Sequence, residues 1–368
     1  MDLSEIRHRL HQLAEPSGEE FKTQEYILEI LRILSPSHIH TFEDSRNIVA
    51  EYDFGPGPTL LFRGDFDAVR VEETLDIPYA SLTSGISHKC GHDGHATMLL
   101  GLAEQLCRQP LKSGKILLFF QGAEETGQGA EALLQSGLLK NYQIDQVFAL
   151  HNIPGEKTGH IICKPDSFTC SVISCDIHLE GKTSHAAEPL KAISPYLPAV
   201  HITNDLLALN HYDIHQDDFC LLTLVEFKVG EQAYGVTAGN GVLRFTLRAK
   251  QDERLQMTKQ KLIAIVEQYV TPIEGLSSRI EWKEYFAASK NHQTAVDCLR
   301  EVAKAQHLTY LEKETPFSWG EDFGLLTQHY DGALFGLGSG EQQASLHHPF
   351  FNFPDELLPV GANLFYAI

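Results

Sequence analysis

The stretch Ser87-His88-Lys89-Cys90-Gly91-His92-Asp93-Gly94-His95 brings together residue types that bind metal ions. Cys90 and His92 stand two residues apart, directly before a run of apolar residues at helical spacing. Both side chains cannot point inward from a regular helix, but they can from a bend at a helix start, and Gly91 and Gly94 supply the freedom for that bend. Thiolate and imidazole suit zinc, nickel, cobalt or manganese rather than calcium or magnesium. The stretch therefore predicts a site for one of these metals.

The composition restricts the class of protein and its partners. The chain has 368 residues, of which 43% are apolar and 21% charged, as expected of a soluble globular protein of two to three domains. Its 49 acidic and 29 basic residues give a net charge of -20, which argues against nucleic acid and anionic membranes as partners. No window resembles a membrane span. The seven cysteines, an odd number without framework spacing, indicate the reducing cytoplasm.

Three β-like apolar runs, separated by segments of helical period, predict βαβ units and a mainly parallel sheet. Acids or an imidazole follow each run, and the carboxyl ends of strands are where α/β sheets place their sites. The runs cover residues 58–63, 115–120 and 146–150, and they are followed by Asp65 and Asp67, by Glu124 and Glu125, and by His151.

The pattern changes near residue 170, where a strand-helix-strand-strand-helix-strand order begins. That order is typical of the ferredoxin-like arrangement. It predicts an inserted domain over residues 171–285, which divides the first domain into residues 1–170 and 286–368. His347 follows the last predicted strand, at 333–337.

Five donors from separate segments are too many for one structural zinc ion, which takes four ligands. They suit two metal ions about 3.5–4 Å apart, the arrangement of hydrolytic dinuclear sites, and a thiolate can bridge the two ions. Glu124 is the candidate general base, because adjacent side chains of an extended segment point to opposite sides and only one of the pair is needed as a ligand. The candidate donors are Cys90, His92, Glu125, His151 and His347.

Several of these residues also have a structural interpretation. Asp65 or Asp67 could cap a turn, and His151 could be a hydrogen-bonded core histidine. Arg248, at the end of a predicted strand, could form a surface salt bridge.

The motifs together resemble the aminoacylase/carboxypeptidase metallopeptidase clan, and within it the amidohydrolase branch of hippurate hydrolases, N-acetyl-diaminopimelate deacetylases and indole-acetyl-amino-acid hydrolases. The resemblance runs from about residue 5 to the C-terminus. The motifs are Arg63-Gly64-Asp65-Phe66-Asp67-Ala68, His88 to His95, Ala123-Glu124-Glu125, Leu150-His151-Asn152, Gly181 to Pro189, Gly320-Glu321-Asp322-Phe323 and Leu346-His347-His348-Pro349.

This resemblance implies a two-metal catalytic domain interrupted by a ferredoxin-like lid that commonly also dimerises. It implies that the five donors are the metal ligands and that Glu124 is the general acid/base. His185 matches a histidine thought to approach the developing oxyanion. Arg248 matches the Thr-x-Arg position of the family, which makes it the candidate for binding the substrate carboxylate through a bidentate pair. Asp65 and Asp67 stand where other members of the clan have a metal-binding His-x-Asp, and here they are expected only to support the site.

The chain departs from the family pattern at three places. Gly235-Val236-Thr237-Ala238 replaces the usual Asn-Val-Ile-Pro, and Asn240 is a possible substitute for the missing Asn. Arg70 stands where the branch usually has Pro. The Leu-His-x-Pro motif could also be read one residue later, at His348. These differences concern the substrate more than the metal site.

The sequence thus predicts a cytoplasmic amidohydrolase with two divalent ions, zinc or manganese ahead of nickel or cobalt. The expected substrate is an N-acyl amino acid or short peptide, and the expected assembly is a homodimer through the lid. A dipeptidase or carboxypeptidase on the same scaffold is an alternative. A second alternative is a protein that is not primarily an enzyme, a catalytically weak metal-binding module.

Overall fold

A computed structural model describes all residues from 1 to 368. The α-helices are α1 (Leu3–Leu13), α2 (Phe21–Leu34), α3 (His92–Arg108), α4 (Gly129–Ser136), α5 (Tyr196–Leu207), α6 (Asp252–Val270), α7 (Gln293–Ala305), α8 (Gly324–His329) and α9 (Leu357–Ala367). The strands are β1 (His38–Thr41), β2 (Ile48–Asp53), β3 (Thr59–Asp65), β4 (Lys115–Gln121), β5 (Gln146–Pro154), β6 (Ile161–Cys163), β7 (Asp166–Ser167), β8 (Ser171–Glu180), β9 (Ser184–His185), β10 (Cys220–Val229), β11 (Val236–Thr237), β12 (Asn240–Ala249), β13 (Ser277–Phe286), β14 (Lys290–Asn291), β15 (Tyr310–Glu312) and β16 (Gly332–Gly340).

The chain forms two compact units. The first consists of Met1–Phe168, Ser289–Glu314 and Glu321–Ile368. The second consists of Thr169–Ala288 together with Thr315–Gly320, a segment outside the predicted insert 171–285. None of the helices is both long and apolar enough to cross a membrane.

The first unit is built on an eight-stranded sheet in the order β1-β2-β4-β3-β5-β16-β6-β15. Its four central strands, β4, β3, β5 and β16, run parallel, which confirms the predicted α/β class. The apolar run of β4 is buried from Ile116 to Phe120, as expected of an inner strand covered on both faces. The edge strands β1 and β15, and β6 next to β15, were not predicted, because each has only three or four residues.

The register of the central strands brings their polar ends together. Asp65 at the end of β3 pairs with Gln121 at the end of β4. Arg63 pairs with Ala149, so His151 lies two residues further along β5, level with Asp65. The predicted convergence at one edge of the sheet is therefore present, although β5 continues past His151 to Pro154.

The second unit has a four-stranded antiparallel sheet in the order β10-β12-β8-β13, with α5 and α6 packed on one face. The chain order β8-α5-β10-β12-α6-β13 is the ferredoxin-like arrangement that the sequence predicts. Alternate residues of β8, from Ile173 to Leu179, enter the core, while Ser174, Asp176 and His178 lie on the opposite face.

Candidate metal centre

Cys90 and His92 flank the N-terminus of α3. Gly91 has φ 100°, a left-handed conformation that bends the chain immediately before His92, the first helical residue. The predicted role of Gly91 is thus observed, but the same explanation is wrong for Gly94. Gly94 lies within the first turn of α3, and a Cβ atom there would come closer than 3.0 Å to the Phe353 ring. Gly94 is required for close packing and not for the bend.

The two ring nitrogens of His92 have different surroundings. Nδ1 lies 3.1 Å from Oδ1 of Asp67, which accepts its hydrogen bond. Nε2 is buried and has no hydrogen-bond partner. A metal-ligating histidine usually has this arrangement, in which a carboxylate binds one ring nitrogen and the other nitrogen has no hydrogen-bond partner in the protein.

His151 is oriented in the same manner by the main chain. Its Nδ1 donates to the carbonyl oxygen of Asn152 at 2.9 Å, and its Nε2 lies 3.5 Å from Sγ of Cys90. Burial, with the charge of His95 as a further contribution, lowers the pKa of His151 well below its ordinary value. The imidazole is therefore neutral and able to bind a cation.

Glu124 and Glu125 lie in a turn after β4, not in an extended segment. The sequence argument from opposite sides of a strand is therefore wrong, because Ala123 has a left-handed φ of 55° and turns the chain. Both carboxylates face His92, with one oxygen each at 3.9 and 3.8 Å from its Nε2. Glu20, missed in the sequence, supports the turn by accepting the Ala123 amide at 2.7 Å. The main-chain amide of Asp322 donates to Oε1 of Glu124 at 3.3 Å.

His347 comes from the segment between β16 and α9 and has a φ of 62°. Its Nε2 lies 3.1 Å from Oε1 of Glu125. The His348 ring instead lies tilted against the Phe350 ring, with centroids 5.4 Å apart, and its Nδ1 accepts the Phe350 amide hydrogen at 3.2 Å. The structure therefore brings His347, and not His348, to the predicted donors.

The five predicted donors meet as two sets that share Cys90. One set is Cys90, His92 and His151, and the other is Cys90, Glu125 and His347; the ligand atoms within each set lie within 4.8 Å of one another. Ligands about 2.0–2.3 Å from a common ion are at most about 4.6 Å apart, so each set needs little adjustment to hold one. The buried, unpaired Nε2 of His92 and the shared thiol fit a pair of divalent ions bridged by Cys90.

Burial and neighbouring carboxylates dominate the electrostatics of the site. Burial and the charges of Glu125 and Glu124 raise the pKa of the Cys90 thiol well above its ordinary value. Burial and the neighbouring Glu321 and Glu125 raise the pKa of Glu124 in the same way. Burial opposes protonation of His92, yet Asp65 and Asp67 raise the pKa of its imidazole to about 10. A bound cation would reverse all three effects.

Asp65 and Asp67 lie behind the donors. Asp67 accepts hydrogen bonds from His92, from the Ser17 hydroxyl at 2.7 Å and from the Glu125 amide at 3.0 Å. Asp65 accepts from Nδ1 of His95 at 2.6 Å and from Arg63. Asp67 thus orients the donors His92 and Glu125, whereas Asp65 holds His95 and Arg63. Both acids lie within 4 Å of a His92 nitrogen.

A buried arginine, Arg63, was not predicted to have a role. Its guanidinium is fully buried and donates to Asp65, Glu321, Asp322 and Gln121. Its position on an inner strand beside glycine and two acids is the sequence signal that could have identified it, since a strand-interior arginine needs buried partners.

His185 and Arg248 belong to the second unit. His185 lies on β9, is exposed, and accepts the Ala187 amide at Nδ1, so its neutral ring carries the proton on Nε2. Arg248 has no carboxylate within salt-bridge distance, and its Nη1 donates to the Ser318 carbonyl at 3.0 Å. The alternative of a surface salt bridge is therefore not observed.

A model of peptidase family M20/M25/M40 matches residues 61–368. The chain belongs to this family. The match covers both units and every candidate donor, from Cys90 to His347.

Curated relatives and solved structures extend over nearly the whole M20 chain. An N-acetyl-L-cysteine deacetylase of Bacillus subtilis is 31% identical over 98% of this chain and 85% of its own. An N-acetyldiaminopimelate deacetylase of the same organism is 31% identical over 96% and 94%. The crystal structure of a dinuclear metal-binding peptidase of the M20 family from Bacillus subtilis superposes with a TM-score of 0.82, at 25% identity, over 99% of this chain and 95% of that one. The chain is therefore an M20-type hydrolase whose centre takes two divalent ions.

Proposed function

We propose that this M20 protein hydrolyses the amide bond of N-acyl amino acids. The observation that carries the proposal is the meeting of two donor sets at Cys90, with the Glu124 carboxylate turned toward the same point. The deacetylase relatives, at 31% identity over almost the full length, support an acylated amino acid as the substrate.

The proposed ligands are Cys90, His92 and His151 for one ion, and Cys90, Glu125 and His347 for the other. Divalent ions at such a centre lower the pKa of water and polarise the scissile carbonyl. The donor chemistry favours zinc or manganese, and nickel or cobalt would also be accepted.

Glu124 is the proposed general base and acid. Its carboxylate is buried, is fixed by the Asp322 amide, and is not needed to complete either donor set. In the reaction it takes the proton of the attacking water and then delivers a proton to the leaving amine.

Two residues of the second unit have proposed roles in binding. His185 carries a proton on an exposed Nε2, which suits donation to the oxyanion of a tetrahedral intermediate. Arg248 retains free hydrogen-bonding capacity for a substrate carboxylate, since only a main-chain carbonyl contacts its guanidinium.

We further propose a cytoplasmic homodimer that associates through the second unit. Strand β10 is an edge strand of the ferredoxin-like sheet, and it exposes 63% of Val225 and 39% of Phe227. Such an edge can pair with a second copy. All seven cysteines are unpaired, which supports a reducing compartment. Sedimentation of the wild-type chain and of Phe227→Lys tests the dimer; equal monomer content in both samples would argue against this surface.

The central test is Glu124→Gln, assayed with metal-loaded protein on a panel of N-acetyl amino acids. Loss of general acid/base catalysis should reduce kcat by about 10²–10⁴ while two metal ions remain bound. Glu131→Gln, an exposed carboxylate on α4, is the matched control and should retain wild-type kcat. Near wild-type turnover of Glu124→Gln would refute the assignment. Two bound ions with no turnover by the wild type on any amide would favour a metal-binding module.

A further inference from the structure

A completely buried lysine stands next to the shared donor Cys90. Lys89 has no exposed surface, and a buried ammonium is costly unless it is paired and hydrogen-bonded. Its Nζ lies 2.6 Å from Oε1 of Glu73 and donates to the carbonyl oxygen of Phe351 at 3.0 Å. The proposed mechanism makes no use of this residue.

Lys89 contacts the His347 segment at two points. Its ammonium holds the carbonyl of Phe351, and its own carbonyl oxygen accepts the amide of His347 at 2.7 Å. Lys89 is thus hydrogen-bonded to the first and to the last residue of the 347–351 segment. His347 itself is the most exposed of the five donors, with 51% of its side chain accessible, and it has a left-handed backbone conformation.

Such a conformation costs about 1 kcal/mol or more for a non-glycine residue and persists only where the surroundings impose it. Because His347 belongs to no helix or strand, hydrogen bonds from neighbouring segments must hold its left-handed backbone conformation. The Lys89 carbonyl supplies the only main-chain hydrogen bond to the His347 amide.

The partner of Lys89 is anchored in turn. Oε2 of Glu73 lies 2.8 Å from Nε2 of His11, and Nδ1 of His11 lies 2.7 Å from Oδ2 of Asp93. Asp93 follows the donor His92 directly, and its side chain is fully buried. The hydrogen-bonded series Lys89-Glu73-His11-Asp93 therefore begins at the residue before Cys90 and ends in the first turn of α3, at the residue after His92.

We propose that Lys89 is a positioning residue that holds the donor His347 in place beside Glu125. This inference rests on the proposed two-ion centre and concerns only the Cys90, Glu125 and His347 set. The Cys90, His92 and His151 set receives no residue from the 347–351 turn, so it should form without the ammonium of Lys89.

The test is a Co²⁺ titration of metal-free protein by calorimetry, for the wild type, Lys89→Met, His347→Ala and the double variant of both. Removal of a supporting residue of this kind usually weakens metal binding about 10–100-fold. The wild type should bind two Co²⁺ ions. Lys89→Met should bind the first ion with the affinity of the wild type, and the second at least about tenfold more weakly than the wild type does. When His347→Ala is already present, adding Lys89→Met should not weaken binding of the second ion any further, because Lys89 acts through His347.

Leu299→Ala, in the buried core far along the chain in α7, controls for general loss of stability and should leave both affinities unchanged. The double variant Lys89→Met, Glu73→Gln removes both charges of the Lys89–Glu73 ion pair. If Lys89→Met alone does not fold, this double variant takes its place in the same titrations.

Unchanged binding of both ions by Lys89→Met, or an equal loss with and without His347, would overturn the positioning role while leaving the proposed function intact. Fewer than two ions bound by the wild type would overturn the two-ion centre, and this inference with it.

Discussion

Replacing Arg63 with Met should strongly destabilise the first unit. The Arg63 side chain is fully buried, and its guanidinium lies 2.6 Å from Asp65 and 3.2 Å from Asp322, with Glu321 also bound. Met keeps most of the side-chain volume but leaves three buried carboxylates without their cation. Removal of one partner from a buried ion pair typically costs about 3–5 kcal/mol, because the remaining charge is uncompensated.

For a unit of about 240 residues, 1 kcal/mol corresponds to about 2–4 °C in Tm, so the expected decrease is about 6–20 °C. Scanning calorimetry of metal-free protein in excess chelator measures this decrease without a contribution from metal binding near Asp65. The matched control is Arg32→Met on α2, where Arg32 and Glu25 lie 2.8 Å apart but are more than half exposed. A surface pair of this kind contributes about 0–1 kcal/mol, so its Tm should change by no more than about 4 °C. Equal Tm changes for the two variants would refute the view that the Arg63 cluster stabilises the fold.

Two further predictions concern the helix that carries His92 and the acid stability of its surroundings. Gly94→Ala should lower the free energy of unfolding by about 1–3 kcal/mol through contact with Phe353. Gly235→Ala, with open space around it, should change the free energy of unfolding, measured by denaturant titration, by less than about 0.5 kcal/mol. Equal effects would exclude the packing explanation. Burial alone would raise the pKa of Glu73, but hydrogen bonds from His11 and Lys89 lower it from its ordinary 4.5 to about 2, so its stabilising contribution is present above pH 4.5 and is lost as the pH falls toward 2. The difference in Tm between metal-free wild type and Glu73→Gln should therefore shrink over that interval, and a difference that does not vary with pH would contradict the assignment.

The donor residues could be predicted because their chemistry and their positions agree. Cys90 and His92 at a helix start, and Glu125 after an apolar strand, each follow a local pattern that places the residue at the edge of the sheet, although the direction of the Glu125 side chain was not predicted correctly. His347 had no such pattern, and as a single residue it was the weakest of the five candidates. It belongs to no helix or strand, and its amide donates to the Lys89 carbonyl from a distant part of the sequence.

The buried ionic networks could not be predicted, because composition treats charged residues as exposed. Arg7 and His11 are fully buried on α1, where they lie on the same helix face as Leu10. Charged residues at the centre of an apolar face were the available signal, but their partners come from distant segments. Arg7 reaches Asp93 and Asp355, and no spacing in the sequence connects these residues.

The ionic networks give some of the buried acids near the candidate centre a lysine or arginine partner and leave others without one. Arg63 balances the carboxylates of Asp65, Glu321 and Asp322, and Lys89 balances Glu73. Three acids around His92 have no lysine or arginine within salt-bridge distance: Asp67, Glu124 and Glu125. His92 lies within 4 Å of all three, and its imidazole must be neutral to act as a ligand. Protons or bound divalent cations can neutralise these acids, so metal binding and the stability of the first unit are linked.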